Sequence, residues 1–183
     1  MIELGAYWAH YSMWLKKIKP SASCILVEPD VANLKIGEVN FSLNSYTGTF
    51  INAFVSKTGF KVEDYMKNAK IQKLDVLHSD IQGYEIEMLE DTSHALNNKL
   101  IDYLFISTHI NNLHYQALRF LSSKGYRIEV SSDFEHTTSF DGFILASSPL
   151  VSPVFPKGFS PLGRIDICKS NSNDLLQYLN QIS

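Results

Sequence analysis

At 183 residues the chain has the length of one ordinary domain, enough to close a substantial core. A net charge of -3, with 45% hydrophobic and 19% charged residues, reads as globular and gives no long-range attraction to a phosphate backbone, so nucleic acid is not an expected partner. No stretch reaches the roughly 20 apolar residues of a membrane helix, and the two distant cysteines, Cys24 and Cys168, point to free thiols and not to a disulfide framework.

Only Met1 and Ile2 precede Glu3, whereas a strand commonly has about five or six residues. The first strand is therefore expected to be cut short, as in a piece of a longer chain. A Gly turn follows at Gly5. Across residues 8–18, Trp8, Tyr11, Leu15 and Ile18 recur at helical spacing, with Trp14 beside them. That stripe, with His10, is expected to pack inward. Residues 24–27 form a short buried strand ending at Glu28, with Cys24 as a buried thiol. Pro29 and Asp30 open a second helix carrying Val31 and Leu34 inward. Gly37 is expected to stop it, and residues 39–43 alternate like a strand.

Further strands are predicted at 50–55, 74–80, 101–107, 126–130 and 142–146, and helices at 61–70, 85–96 and 112–124, the last stopped by Gly125. Strands and helices alternate up to the final pair of strands, which only a polar loop separates. The predicted fold is an α/β, Rossmann-like, doubly wound and mostly parallel sheet with one antiparallel strand at its end. We assign residues 1–147 to this domain and 148–183 to a C-terminal extension. The extension carries Pro149, Pro153, Pro156, Gly158, Pro161 and Gly163, and a short helix is expected near residues 175–182.

Ligands in open α/β sheets bind beyond the carboxyl ends of the strands. Four such ends carry chemistry: residues 3–12, Glu28, residues 79–85 and residues 107–111. Glu28 is placed to accept hydrogen bonds from a ribose diol. Ala9 stands where a pyrophosphate loop would need a second glycine, so S-adenosylmethionine fits better than a dinucleotide.

On these residues the chain resembles the FkbM-type S-adenosylmethionine-dependent methyltransferases, whose fold is of the class I methyltransferase type. Their first motif, Asp-Val-Gly-Ala-Asn-x-Gly-x-x-Ser, is matched at Glu3, Gly5, Ala6 and Ser12, with Glu3 matching only as an acid. Their second strand ends in Glu-Pro, as at Glu28-Pro29. Their later Asp-Val-Glu-Gly-x-Glu is represented by Asp80-Ile81-Gln82-Gly83-Tyr84-Glu85, with Leu89 following. Tyr7, Ala9 and Gln82 depart from the pattern.

The resemblance implies S-adenosylmethionine as cofactor, held by Glu3, Gly5, Ala6, Ser12, Glu28 and Asp80. It also implies methyl transfer to a hydroxyl of a sugar or other small metabolite, in the cytoplasm. No metal is expected, and a homo-oligomer is left open. A sulfonium is already a good methyl donor, so the protein need only position an acceptor oxygen and help remove its proton. His109 is the candidate general base, with Asp80 as an orienting or cofactor-contacting carboxylate, and the two roles could be exchanged.

Bland alternatives exist for each. An acid at a strand end can cap the next helix, and His109 could be a satisfied histidine at a helix entrance. Asp133, Glu135, His136 and Asp141 form an acidic, His-bearing loop that is read as solvated, because their spacing matches no metal signature. Two rival functions remain: a degenerate member kept as a binding module, and a nucleotide-binding oxidoreductase that the missing glycines disfavour.

Overall fold

The computed structural model describes residues 1–155, 159 and 161–182, so Pro156 and Gly158 lie outside the described residues. Seven strands form one sheet in the order β3-β2-β1-β4-β5-β7-β6. They are β1 (Ile2–Leu4), β2 (Ile25–Glu28), β3 (Thr49–Asn52), β4 (Leu74–Ser79), β5 (Ile101–Thr108), β6 (Arg127–Ser132) and β7 (Gly142–Ser147). The helices are α1 (His10–Ile18), α2 (Val31–Leu43), α3 (Val62–Asn68), α4 (Glu85–Asp91), α5 (Ser93–Asn97), α6 (Asn111–Ser123), α7 (Arg164–Lys169) and α8 (Ser172–Ile182). β1 to β5 pair in parallel, and β7 runs antiparallel to both β5 and β6. The antiparallel strand is thus the last in the chain, as expected, but it inserts between β5 and the edge strand β6.

Three-residue β1 pairs with β2 on one side and β4 on the other, and all of it is buried. Alternation along β1 and β2 divides the apolar residues between two faces. Ile2, Leu4, Ile25 and Val27 join the main core with Leu77, Leu104 and Ile106. Leu26 joins a smaller cluster with Ala6, Ala9, buried Cys24 and Phe41. Both faces are covered, which is what lets a parallel sheet carry near-continuous apolar strands.

Two expectations are corrected. Gly37 does not stop the second helix: α2 runs unbroken to Leu43 after Asp30 caps it, its Oδ1 accepting from the N–H groups of Ala32 and Asn33. The supposed strand at 39–43 is the outer part of this helix, with Val39 and Leu43 exposed and Phe41 buried. A Cβ on Gly37 would lie 3.4 Å from the Ala9 methyl and from the Phe50 ring, so the glycine marks close packing of α2 on the first turn.

The aromatic stripe of α1 does not face inward either. Trp14 and Ile18 are 69% and 83% exposed, while Ser12 and Lys16 form the buried side. Helical spacing alone identified a face. The face that turns inward is the polar one, and at its start the Ser12 N–H donates to Glu3 Oε2.

The predicted 85–96 helix is two pieces, α4 and α5, joined at Thr92, whose hydroxyl donates to the Met88 carbonyl at 2.6 Å. α7 is an element that the Pro- and Gly-bearing composition concealed. Among the described residues no helix is long and apolar enough to cross a membrane.

Candidate active site

The carboxyl ends of β1, β2 and β4 surround a cleft of about 440 Å³, whose lining includes Glu3, Gly5, Ala6, Tyr7, Tyr11, Glu28, Phe54, Asp80 and Gln82. Of the six residues expected at a cofactor, five line it. Ser12 is the correction: it is fully buried, outside that lining, and gives its N–H to Glu3 Oε2 at 2.9 Å. Its part is to tie the start of α1 to the first strand.

The turn after β1 is built on close backbone approach. Gly5 has φ +70°, and a Cβ there would lie 1.8 Å from the Asp80 carbonyl oxygen. Tyr7 and Ala9 also adopt left-handed backbone, with φ 46° and 69°, a conformation that costs a side-chain-bearing residue roughly 1–3 kcal/mol. Glu28 offsets part of this. Its Oε2 accepts from the Tyr7 N–H at 2.8 Å, and its Oε1 accepts from the Asp30 N–H at 3.0 Å. Glu28 therefore braces the turn as well as facing the cleft.

Burial pushes the Glu3 carboxyl up to about 7, with the hydrogen bonds from the Ser12 and Tyr11 region working against it. His78 is its register partner on β4. There burial lowers the imidazole to about 4, favouring the neutral ring against which Tyr11 packs at 4.1 Å.

A second cleft, of about 480 Å³, opens at the far side of Asp80. Its lining includes Phe105, Ser107, Ser132, Thr137, Asp141, Phe143, Phe155 and Phe159. Tyr11 and Asp80 line both clefts. The segment after β7 supplies part of this wall, and Arg164 holds it there by donating to the carbonyls of Thr137 and Ser139.

His109 stands beside Asp80, as the strand ends suggested, with Nε2 3.1 Å from Asp80 Oδ1. The fold adds two acids that the sequence reading did not place there. Fully buried Glu85 has Oε1 3.1 Å from His109 Nδ1, and Asp141 Oδ1 lies 3.6 Å from Nε2. Burial raises the Asp80 carboxyl above the usual carboxylate range; His109 opposes the shift, while Asp141 and Glu85 add to it.

The loop cluster divides. Asp141 turns to His109, whereas Asp133 serves its own turn, accepting from Tyr115 and pairing with His136. Burial alone would raise Asp133, but those donors hold its carboxyl well below the ordinary range. Glu85 lay within the quoted 80–85 motif and was legible as a candidate. Asp141 had no sequence signal that separated it from its loop neighbours.

A seven-stranded sheet in this order, with its cleft at the ends of β1, β2 and β4, is the fold of the class I methyltransferases. Residues 32–128, just over half of the chain, match the methyltransferase FkbM domain, and the chain belongs to that family. Among solved structures, methyltransferase FkbM from Methylobacillus flagellatus KT is similar at TM-score 0.62 and 17% identity, covering 81% of this chain and 43% of its own. TrmK from M. capricolum, in complex with S-adenosyl-homocysteine, is similar at TM-score 0.57 and 16% identity, covering 98% and 75%. Precorrin-6y C5,15-methyltransferase from Geobacter metallireducens GS-15 is similar at TM-score 0.58 and 15% identity, covering 81% and 79%. Among curated proteins no significant sequence match was found.

Proposed function

We propose that this chain is an S-adenosylmethionine-dependent methyltransferase acting on a hydroxyl of a sugar or another small metabolite. The observation that carries the reading is the meeting of two clefts at Tyr11 and Asp80, because group transfer needs a donor site and an acceptor site that share a boundary.

The first cleft suits the cofactor. Its floor is a glycine turn with no room for a Cβ at Gly5, Glu28 offers carboxylate oxygens with lone pairs left for a ribose diol, and Phe54 adds an apolar wall. Glu3, Gly5, Ala6, Glu28 and Asp80 would hold the cofactor, which supplies an electrophilic methyl group when bound.

The second cleft suits a polyhydroxylated acceptor. It alternates aromatic faces (Phe105, Phe143, Phe155) with hydroxyls (Ser107, Ser132, Thr137), and its described lining contains no Lys or Arg. A nucleic acid phosphate would have nothing there to neutralise it. In this reading His109 accepts the acceptor's proton and Asp80 orients it, and the two remain exchangeable because His109 Nε2 lies 3.1 Å from Asp80, which lines both clefts.

One observation favours a second reading, a binding module without turnover. Both Glu28 oxygens already hold backbone N–H groups, and the exposed Tyr7 ring stands in the cleft.

Calorimetry with S-adenosyl-homocysteine, followed by transfer of labelled methyl to a panel of glycosides and small alcohols, separates these. Saturable binding with transfer supports the enzyme, and binding without transfer to any acceptor supports the module. Absence of binding by a folded protein overturns both. If His109 is the base, His109→Ala should lower turnover about 10²–10⁴-fold with cofactor affinity retained. Normal turnover in His109→Ala with a dead Asp80→Asn would exchange the two roles.

A further inference from the structure

The junction holds an arrangement that proton transfer alone does not explain. His109 Nε2 and Asp80 Oδ1 are both inaccessible to solvent and lie 3.1 Å apart, yet they meet at an angle poor for a hydrogen bond, and no other group partners either atom. Asp141 Oδ1 faces the same nitrogen at 3.6 Å. One ligand atom from each of the three residues falls within 4.8 Å of the others.

Ligand atoms about 2.0–2.2 Å from a common ion are separated by roughly 3.0 Å at a right angle and 3.4 Å at a tetrahedral angle; the 3.1 Å between His109 and Asp80 falls in that range, and the 3.6 Å to Asp141 would need a small inward shift of its loop. On its other side, His109 Nδ1 meets Glu85 Oε1 at 3.1 Å. A carboxylate accepting from one ring nitrogen leaves the lone pair of the other free for a metal, the usual support of a metal-bound histidine. Asp80 and Asp141 together balance a double positive charge. Without a cation, three carboxylates crowd a single imidazole.

We propose that Asp80, His109 and Asp141 form a binding site for a divalent cation of the Mn²⁺ or Zn²⁺ kind, with Glu85 fixing the histidine ring. One nitrogen and two carboxylate oxygens suit such ions better than Ca²⁺ or Mg²⁺, which favour all-oxygen sets. Asp80 and Asp141 both line the second cleft, so the coordination positions left open are on its side, where adjacent oxygens of an acceptor can chelate. That use of the ion rests on the methyltransfer reading; binding of the ion does not. His109 would then serve as a ligand in place of a base.

The test is titration of Mn²⁺ into the purified full chain followed by electron paramagnetic resonance, with Zn²⁺ as competitor and S-adenosyl-homocysteine binding measured in parallel. One Mn²⁺ per chain is expected, with a ¹⁴N coupling that disappears in His109→Ala. Asp141→Asn, a loop change that leaves the core intact, should weaken binding at least about tenfold. Glu85→Gln should weaken it about 10–100-fold, with thermal melts confirming that each variant is folded. No saturable binding up to millimolar Mn²⁺, or binding that Asp141→Asn leaves unchanged, overturns the site. Mn²⁺ binding without S-adenosyl-homocysteine binding keeps the site and sinks the methyltransfer reading.

Discussion

Glu3 and His78 face one another across β1 and β4, and burial moves their protonation in opposite senses with respect to stability. For Glu3, a folded value near 7 against 4.5 unfolded means the folded state binds its proton more tightly. Its contribution is complete below pH 4.5 and about 3 kcal/mol is lost as pH rises to 7. For His78, a folded value near 4 against 6.5 gives a contribution present above pH 6.5 and lost as pH falls to 4. The two slopes oppose each other between pH 4.5 and 6.5. Chemical denaturation across that window should show a shallow dependence in the unmutated chain. Glu3→Gln should unmask a stability that rises with pH there, whereas an unchanged profile would show that Glu3 is not protonated on folding.

Two neighbouring positions test the turn. Gly5→Ala places a methyl on the Asp80 carbonyl at a positive φ and should cost more than about 3 kcal/mol or abolish folding; a normal melting temperature would contradict the turn geometry. Glu28→Ala removes the acceptor for the Tyr7 and Asp30 N–H groups. It should therefore lower stability by about 1–3 kcal/mol as well as weaken cofactor binding about ten- to a hundredfold. The strand-end position suggested either a ligand-facing residue or a cap for the next helix; the double hydrogen bond shows that Glu28 has a structural part whichever ligand it meets.

At the scale of elements, α2 shows why a glycine read in isolation misleads. A helix-interior glycine costs roughly 0.8–1.0 kcal/mol relative to alanine, and Gly37 is retained where α2 lies against Ala9 and Phe50. At 3.4 Å those neighbours are at the edge of ordinary contact, so Gly37→Ala should leave stability unchanged or raise it by up to about 1 kcal/mol. A helix that ended at Gly37 would instead be destabilised by the change. Denaturant unfolding decides between them. The Asp30 cap, the strand at 24–27 and the helix after Gly83 were legible because each rests on local chemistry: a side chain reaching its own helix N–H groups, or an apolar run bounded by breakers. The inward face of α1 was not legible, because which face is buried depends on how the helix packs against other elements.

For the whole molecule, the C-terminal segment forms part of the second cleft. Arg164 ties α7 to the carbonyls of Thr137 and Ser139, and Gly163 lies so close to the His136 backbone that a Cβ would stand 2.3 Å from its carbonyl oxygen. Arg164→Ala should speed proteolytic cleavage after β7 and weaken acceptor binding, while S-adenosyl-homocysteine binding at the first cleft stays as it was. Equal loss at both clefts would show that the segment supports the whole sheet and not the second cleft alone.

The sequence by itself determined the alternation of strands and helices, and with it a doubly wound sheet whose strand ends carry Glu3, Glu28, Asp80 and His109. Apolar runs, caps and glycine turns are local, and a helix between successive strands favours their parallel alignment. Tertiary structure decided what depends on segments distant in the chain. It inserted β7 beside β5, which delivers Asp141 from a loop to His109, and it turned Glu85 inward to the other ring nitrogen. It also placed Ser12 beneath the first turn and left the aromatic side of α1 exposed. Spacing along a chain specifies which side chains share a face, but only packing against other elements selects the face that is buried and the partners it meets.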